Sequence, residues 1–498
     1  MMRDLIPFFP TATVILGAFV LLLMSTRRTT HLHTYLYVAA GALLLALVIE
    51  LPRFGHVESS YLLETVFGPR YLTDDFAVLF DLMFLGGGAL TLLINAIYLS
   101  KRDYYNGEFF ALFLFAIFGM MTLAHANDLI AAFVSLELTS LAIYALTGYH
   151  KNYRGSNEAM LKYLVLGSFA GLFFLLGAAI FYGVAGTTVI SDLSTFIQLH
   201  GTEYRLPLSA AGLFLMVTIL FKIGAVPFHS WVLDVYLGAP FPVTMFMAST
   251  FKVALFAIAL RLYLILYVDT GLIGNDAIAF VTVLTLLGGS WLALSQSMLK
   301  RMLAGSSIVH GGYMLIALVS IGSGAQLAAP AIMFYLLSYF ISSVGAFGIL
   351  SYIAADATRP LTYDDFKGMA HRRPYLSAMM AISMLSLAGF PSTIGFLGKF
   401  YIFTGAIESG HLFLAGLGIF VAFVSVYYYF KLIAMIYFYP NEEQKEKRHP
   451  FEIHISTLLI GLMAAMTIWG GIGTGLIPWF PGADGFITIA KEAITSLP

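Results

Sequence analysis

Four charged side chains lie inside apolar stretches that are long enough to span a bilayer: Glu137, Lys222, Lys252 and Lys399. On membrane-insertion scales one charged side chain at a helix centre costs roughly 2.5–3.5 kcal/mol, so four cost on the order of 10 kcal/mol. Leu or Met would fill the same space without that cost. Ionisable residues inside a membrane mark ion pathways, and because these groups titrate the pattern predicts a proton pathway.

A buried lysine beside a buried carboxylate can act as a proton switch. Burial disfavours the charged lysine, whereas a nearby carboxylate favours it. A change in the distance between Glu137 and Lys222 would therefore load or release a proton. Moving one charge across 100 mV costs about 2.3 kcal/mol, so changes in proton affinity of that size would drive a proton against a membrane potential.

Three further residues are candidates for a proton relay: His229, His310 and Lys431. All seven candidates also have structural interpretations. Glu137 could merely pair helices, and lysines beside a helix break could cap free carbonyls. A lone histidine is often only hydrogen-bonded, and a lysine can extend to the membrane interface. Two other groups are assigned no role in the pathway: we expect Arg261 to extend to the interface and His125 to lie at the surface.

The composition is that of a polytopic membrane protein. Of 498 residues, 59% are hydrophobic and 11% are charged, against about 25% charged in soluble domains. Neither a sizeable soluble domain nor a nucleic-acid partner is indicated. The absence of cysteine excludes disulfides, iron–sulfur ligation and thiol catalysis in this chain. The sequence has no metal, flavin or nicotinamide motif that we recognise, so we expect neither cofactor nor metal in this chain.

A window of about 20 residues predicts an all-α fold of about fourteen transmembrane helices. The predicted spans are 9–25, 33–51, 76–99, 108–125, 126–148, 159–185, 208–226, 239–267, 275–294, 302–322, 327–354, 375–406, 411–439 and 453–476. The two longest outer loops, 52–75 and 186–207, are predicted to hold short hairpins or amphipathic segments.

Loop charges predict the orientation. The connections from odd to even spans, Lys300 and Arg301 among them, hold fifteen Lys and Arg residues, and the opposite side holds five. Since positive loops stay on the cytoplasmic side, both termini should lie on the outer, periplasmic side.

Two predicted spans contain helix breakers next to a lysine. Gly224 and Pro227 follow Lys222 in the seventh span, and Gly389 and Pro391 precede Lys399 in the twelfth. Broken helices in corresponding positions of two halves are typical of inverted-repeat transporters. Glu137 precedes Lys222 by nearly the same distance as His310 precedes Lys399.

This spacing predicts two inverted five-helix repeats, formed by helices 4–8 and 9–13. The predicted divisions are 1–107 for helices 1–3, 108–267 and 275–439 for the repeats, and 440–498 for helix 14 and the tail.

Several segments resemble the antiporter-like membrane subunits of respiratory complex I, and among these the subunit N type. The segments are SLELTSLAIYALTGY (135–149), SNEAMLKYLVLGSFAGLFFLLGAAIFYGVAGT (156–187), FKIGAVPFHSWVLDVYLGAPFPVTMFMASTFKVALFAIALR (221–261), LSQSMLKRMLAGSSIVHGGYML (294–315) and SLAGFPSTIGFLGKFYIF (386–403). The similarity covers about residues 75–440. Lys399 in GFLGKF is informative, because the M type carries glutamate there. The chain departs from the family at Leu233, where proline is common.

The resemblance implies a proton-translocating subunit in the membrane arm of an NADH:quinone oxidoreductase, in a bacterial inner membrane. Glu137 and Lys222 would be a modulating ion pair and Lys252 a central relay, with His229 and His310 bridging polar gaps. Lys399 would communicate with the far side or the next subunit. NADH, FMN, iron–sulfur clusters and quinone would bind to partner subunits. Expected neighbours are M-type and small K-type membrane subunits, with the peripheral arm reached indirectly.

Other functions stay open at this stage. A subunit of a multi-subunit Na⁺/H⁺ antiporter would share the fold, as would one of a membrane hydrogenase or a ferredoxin-linked complex. A purely structural subunit is a further alternative, although buried ion pairs rarely stabilise more than apolar packing does.

Overall fold

The computed structural model describes residues 6–26, 31–56, 60–61, 68–102, 105–266, 275–357, 359–440, 454–472 and 482–497. Within these ranges helices dominate, joined by one antiparallel ladder of two strands, β1 (Ser60–Tyr61) and β2 (Leu72–Thr73). The prediction of an all-α polytopic membrane protein is confirmed.

The helices of the described chain are α1 (Phe9–Ser25), α2 (Leu32–Glu50), α3 (Asp75–Ile94), α4 (Ala96–Ser100), α5 (Gly107–Ala124), α6 (Leu129–Thr147), α7 (Arg154–Ala185), α8 (Ile190–His200), α9 (Arg205–Ile223), α10 (Val232–Gly238), α11 (Phe241–Phe246), α12 (Lys252–Leu266), α13 (Asn275–Leu294), α14 (Leu299–Ile321), α15 (Ala328–Ala354), α16 (Met369–Arg372), α17 (Pro374–Ala388), α18 (Ile394–Glu408), α19 (Leu412–Tyr437), α20 (Ile455–Ile472) and α21 (Ala483–Thr495). A π-helical turn, Met247–Phe251, joins α11 to α12. Short 3-10 turns occur at Ile6–Phe8, Leu51–Arg53, Gly68–Arg70 and Tyr363–Phe366.

Twelve helical segments of the described chain are long and apolar enough to cross a membrane, and α1 and α17 are shorter apolar helices. Each predicted span coincides with one helix or with consecutive helices, but the number of crossings stays a prediction. Loop 52–75 holds the strand ladder, and loop 186–207 holds α8, whose Ile190, Leu193 and Ile197 are buried on one face.

The centre of the bundle is formed by two segments that are buried along their whole apolar length, Phe241–Leu266 and α14. Helix α15 is almost as fully enclosed, whereas α7 and α19 expose large apolar side chains such as Phe169 and Phe423. Lipid tails are as apolar as these side chains, so such surfaces suit a bilayer. Polar groups on the central segments are therefore shielded from lipid.

Both predicted helix breaks are present. Helix α9 ends at Gly224 with φ of 77°, and α17 ends at Gly389 with φ of 86°. Residues with a Cβ rarely adopt this left-handed conformation, so glycine permits the sharp end. The break between α17 and α18 explains the excessive length of the twelfth predicted span. A further irregularity, the π-helical turn just before Lys252, was not predicted.

Helix α3 is held to the bundle by buried charges, which corrects two predictions. Arg261 does not extend to the interface: its side chain is fully buried and forms a bidentate ion pair with Asp74, at 2.8 and 2.9 Å. His125 is not at the surface either, because it is fully buried with Nε2 3.1 Å from Asp81.

The inverted repeats and the domain boundaries stay predictions. The two chain ends, residues 1–5 and 498, lie outside the described residues, as do the basic residues at positions 27–28 and 445–448 that entered the orientation argument.

Candidate functional site

Glu137 on α6 and Lys222 on α9 form the predicted ion pair. Lys222 Nζ lies 3.1 Å from a carboxylate oxygen of Glu137, and it also donates to the hydroxyls of Ser140 at 2.7 Å and Tyr144 at 3.5 Å. The lysine side chain is 1% exposed and the glutamate 17%. The two hydroxyls give the amino group partners that remain if the carboxylate moves away.

Aromatic side chains hold the end of α9 in place behind this pair. Trp231 donates from its indole nitrogen at 3.1 Å to the carbonyl oxygen of Phe221, which also accepts from the backbone N–H of Gly224 at the end of the helix. Trp231 stacks on Tyr163, and Tyr163 packs edge-on against Tyr144. The position of Lys222 is thus fixed from α7 and from the segment after the break.

Lys252 is the first residue of α12, directly after the π-helical turn. Its Nζ donates to the carbonyl and hydroxyl oxygens of Ser307 on α14, both at 2.5 Å, and lies 5.6 Å from the ring centroid of Tyr339. The side chains of Tyr236 and Tyr339 lie beside the same serine. Lys252 is therefore surrounded by neutral oxygens, unlike Lys222.

His310, in the middle of α14, is hydrogen-bonded on both ring nitrogens. Nδ1 lies 2.6 Å from the hydroxyl of Tyr335, and Nε2 lies 3.0 Å from the hydroxyl of Tyr429. Because both partners can donate or accept, the ring can change its protonation without losing a partner.

His310 also lies between two lysines. Its ring centroid is 4.7 Å from that of Tyr339, which contacts Lys252, and 5.8 Å from that of Tyr313. The centroid of Tyr313 is in turn 5.1 Å from Nζ of Lys399. A single aromatic ring thus separates the histidine from each lysine.

Lys399, on α18, reaches back across the break to α17. Its Nζ donates to the carbonyl oxygens of Leu387 at 2.9 Å and Ala388 at 2.8 Å, the last residues of α17. These carbonyls lack partners within the helix. The partial negative charge at this end of α17 stabilises a cation placed there. The capping interpretation of this lysine is therefore supported by its contacts, alongside the relay interpretation.

The other two candidates lie apart from these residues. His229 is partly exposed in the turn after Gly224, and its buried Nδ1 has no hydrogen-bond partner among the residues that the structure describes. Lys431 is partly exposed on α19, and its Nζ lies 4.5 Å from the ring centroid of Tyr363. The structure brings neither into contact with the lysines of the bundle centre.

The sequence did not reveal that Lys300 is buried. Lys300 was counted with the loop charges, but it belongs to α14, is 6% exposed and donates to the carbonyl oxygens of Ala239 and Leu237. It lines a cavity of about 190 Å³ together with Arg102 and His150. The sequence held one signal of this burial. Lys300 precedes Ser307 by two helical turns, so the two residues lie on the same face of α14.

The tyrosines around His310 were also missed. Tyr335 and Tyr339 on α15 lie one turn apart, and Tyr429 belongs to the run 427–429. In an apolar helix such residues look like core aromatics, and nothing in the sequence shows that the hydroxyls of Tyr335 and Tyr429 converge on one histidine.

The structure thus forms two groups of titratable side chains, Glu137 with Lys222 and Lys252 with His310 and Lys399. We call the two groups together the lysine row.

Comparisons with known proteins bear on the family and the fold of this chain. The family described as "NADH:quinone oxidoreductase/Mrp antiporter, TM" matches residues 126–425. A relative from Trichlorobacter lovleyi, NADH-quinone oxidoreductase subunit N, is 39% identical over 414 residues, which cover 83% of each chain. A chain of respiratory complex I from Thermus thermophilus is 30% identical with a TM-score of 0.78, covering 94% of this chain and 98% of that one.

The same fold occurs in another respiratory complex. A chain of the membrane-bound sulfane sulfur reductase, an archaeal respiratory membrane complex, has a TM-score of 0.85 at 24% identity, covering 99% of this chain and 98% of that one. Fold alone therefore does not separate these complexes, whereas the sequence identity over most of the length does. The chain belongs to the NADH-quinone oxidoreductase subunit N family.

Proposed function

We propose that this chain is a proton-translocating subunit of the membrane arm of a complex I-type NADH:quinone oxidoreductase. The observation that carries the proposal is the enclosed row formed by the Glu137–Lys222 pair, Lys252, His310 and Lys399. Identity to subunit N relatives over most of the chain supports the same function.

In this mechanism the ion pair works as a gate. When Glu137 is close, it favours the ammonium form of Lys222; when it moves away, Ser140 and Tyr144 still accept from the amino group, which is then free to give up its proton. Lys252 and Lys399, held by neutral oxygens, can take up and release protons while keeping those hydrogen bonds. His310 connects them, and His229 and Lys431 would act, if at all, at the edges of the row.

The remaining parts of the reaction belong to other subunits in this proposal. NADH, FMN, iron–sulfur clusters and quinone would bind to partner subunits, with no redox centre in this chain, and quinone reduction would drive the movement of Glu137. M-type and K-type membrane subunits would be direct neighbours, with the peripheral arm reached through them. The chain is an integral multi-pass protein, placed by the proposal in a bacterial inner membrane with both termini outside.

The test uses the assembled complex in inverted membrane vesicles. Lys222→Ala and Glu137→Gln should each lower NADH-driven proton uptake, while Lys491→Ala, which removes an exposed lysine from α21, should leave it unchanged. Unchanged uptake in both of the first two variants, with the subunit still assembled, would remove the ion pair from the mechanism.

Co-purification separates this function from the cation/proton antiporter. Mild solubilisation and capture of this chain should bring down NADH-oxidising, iron–sulfur and quinone-site subunits. A set of small membrane subunits without a redox protein would instead select the antiporter.

A further inference from the structure

A group of buried hydroxyls leads from His310 toward one end of the bundle. It consists of Ser306, Tyr429, Tyr428 and Tyr363, which we call the hydroxyl branch. The hydroxyl of Tyr429 is hydrogen-bonded both to Ser306 and to His310 Nε2. The ring of Tyr428 lies 4.5 Å from that of Tyr429, and Tyr363 donates to the carbonyl oxygen of Tyr428 at 3.3 Å.

The branch ends where basic residues gather. Tyr363 begins the 3-10 turn Tyr363–Phe366, which follows Arg359 in the loop after α15. Arg359 lines the same cavity as Arg102 and Lys300. We call this end of the bundle the basic end, and the positive-inside rule places it toward the cytoplasm.

The outermost contact of the branch is with a charged side chain that is partly exposed. Nζ of Lys431 lies 4.5 Å from the ring centroid of Tyr363. Lys431 is six residues, or roughly 9 Å of helix, from the last residue of α19 at the basic end. The branch therefore spans the distance between that end and the mid-bundle histidine.

Packing alone does not account for the hydroxyls, because phenylalanine would fill nearly the same space without a buried polar group. One of them, on Tyr428, is poorly satisfied, and so is the hydroxyl of Tyr313 beside the branch. The hydroxyls of Tyr313 and Tyr428 are buried and form no well-aligned hydrogen bond with the described residues, although Ser425 and Tyr429 lie beside them. Buried polar atoms of this kind are sites where water binds.

We propose that the hydroxyl branch is a second proton path, which connects the basic end with His310 and through it with the lysine row. This inference rests on the proposed function and adds to it the route and the residues of proton uptake. Protons arrive from water near Lys431.

A hydroxyl accepts a proton on its oxygen and releases its own to the next group. The carbonyl oxygen of Tyr428, to which Tyr363 donates, has no proton to release, so a water molecule at the unsatisfied Tyr428 hydroxyl carries the proton across this step. The branch itself ends unchanged. His310 gains one proton as an imidazolium and passes it to a neutral lysine, Lys252 or Lys399.

The run of three tyrosines on α19 supplies a matched control. Tyr427 is 64% exposed, whereas Tyr428 and Tyr429 are buried. Tyr429→Phe and Tyr427→Phe each remove one hydroxyl and keep the ring. Both are measured in the assembled complex in inverted vesicles, as the initial rate of NADH-driven proton uptake in H₂O and in D₂O.

Tyr429→Phe should lower the rate of proton uptake by roughly threefold to tenfold. This loss is smaller than the roughly 10²–10⁴-fold loss expected for a sole essential proton donor, because water can partly replace one hydroxyl. The solvent isotope effect on uptake should rise, since proton transfer then limits the rate. Tyr427→Phe should match the parent in both. A merely structural role of Tyr429 would lower uptake without raising the isotope effect, and that result would overturn the proposal.

A second variant tests the branch if the subunit with Tyr429→Phe does not assemble into the complex. Ser306→Ala removes the other partner of the Tyr429 hydroxyl without touching the aromatic packing, and it should raise the isotope effect in the same direction. Lys252→Met separates the two hypotheses. If Lys252→Met abolishes uptake while Tyr429→Phe and Ser306→Ala change neither rate nor isotope effect, the branch is wrong and the lysine row stands. If Lys252→Met has no effect, the row itself fails.

Discussion

The buried lysines differ in their hydrogen-bond partners, and this difference suits them to different steps of proton transfer. Lys222 faces a carboxylate and two hydroxyls, whereas Lys252, Lys399 and Lys300 face neutral oxygens within the described chain. An anionic partner that moves can change the charge of its lysine, but a carbonyl cannot. In the proposed mechanism, control of the proton therefore belongs to the Glu137–Lys222 pair, and the other lysines respond to the charge on their neighbours.

Lys252 is the residue at which charge and proton transfer can be separated. Lys252→Met removes the amino group with little change of volume and should lower NADH-driven proton uptake by about 10²–10⁴-fold, as for a single essential proton-transfer group. Lys252→Arg keeps the positive charge but cannot release a proton, so it should be almost as inactive. Normal uptake by the arginine variant would show that only the charge matters.

The Asp74–Arg261 pair makes a prediction about stability. Asp74→Asn keeps an acceptor for the backbone N–H of Ala77 but leaves a fully buried guanidinium without its anion. Breaking one side of a buried pair costs about 3–5 kcal/mol, so the thermal midpoint of the solubilised complex should fall. Asp75→Asn is the control, because within the described residues Asp75 accepts from the backbone N–H of Gly55 in an exposed setting, and its loss should cost about 1 kcal/mol or less. Equal midpoints for the two variants would contradict the assigned role of the pair.

At the scale of elements, irregular backbone lies next to the chemistry. The break after α9 follows Lys222, the π-helical turn precedes Lys252, and the break before α18 frees the carbonyls that Lys399 caps. Backbone that departs from the α-helix at membrane depth is tolerated only where it is enclosed in protein. The π-helical turn meets this condition within the chain, because all five of its residues are buried. The two breaks do not, since Pro227 and residues 390–392 are exposed on this chain.

The turn that presents Tyr363 should be sensitive to acid. Burial acts to raise the pKa of Asp365, but it is outweighed by hydrogen bonds from the N–H and hydroxyl of Thr362 and by Arg359, so the pKa of Asp365 lies below its usual value. A lowered pKa stabilises the fold fully above the usual carboxyl range, and the contribution is lost as pH falls through the lower value.

Substitution of Asp365 tests this sign. Asp365→Ala removes a capping box and should cost about 1 kcal/mol near neutral pH. The difference in thermal midpoint from the parent should be constant above about pH 5 and shrink on acidification. Asp364→Ala, which removes an exposed carboxylate paired only with Lys367, should show a smaller difference. A midpoint difference for Asp365→Ala that grows in acid would reverse the assignment.

At the scale of the whole molecule, the sequence was informative where one residue type is costly in a membrane. Charged residues in apolar spans singled out Glu137, Lys222, Lys252 and Lys399 as groups inside the bundle, where the structure places them, and their roles stay predictions. Glycine with proline predicted both breaks. The sequence was less informative where meaning depends on long-range contacts. Arg261 could not be paired with Asp74, because 187 positions separate them and α3 and α12 meet only in the folded bundle.

Depth in the bundle was likewise hidden from the sequence. Lys300 was counted as a loop charge because the positive-inside rule counts every lysine near the end of a span. In the structure, however, the first turn of α14 is enclosed by neighbouring segments. The tyrosines around His310 were missed because hydroxyl direction is a property of the fold. The orientation itself rests on loop charges alone.

The sequence has no cysteine, so single-cysteine labelling can decide the orientation without prior substitutions. Asn152→Cys lies in the exposed loop before α7 on the basic end, and Thr202→Cys lies in the exposed loop between α8 and α9 on the opposite end. Because positive loops stay in the cytoplasm, a membrane-impermeant maleimide should label Thr202→Cys in intact cells and Asn152→Cys only in inverted vesicles. The reverse pattern would place the basic end outside, and the hydroxyl branch would then deliver protons to the periplasm instead of collecting them from the cytoplasm.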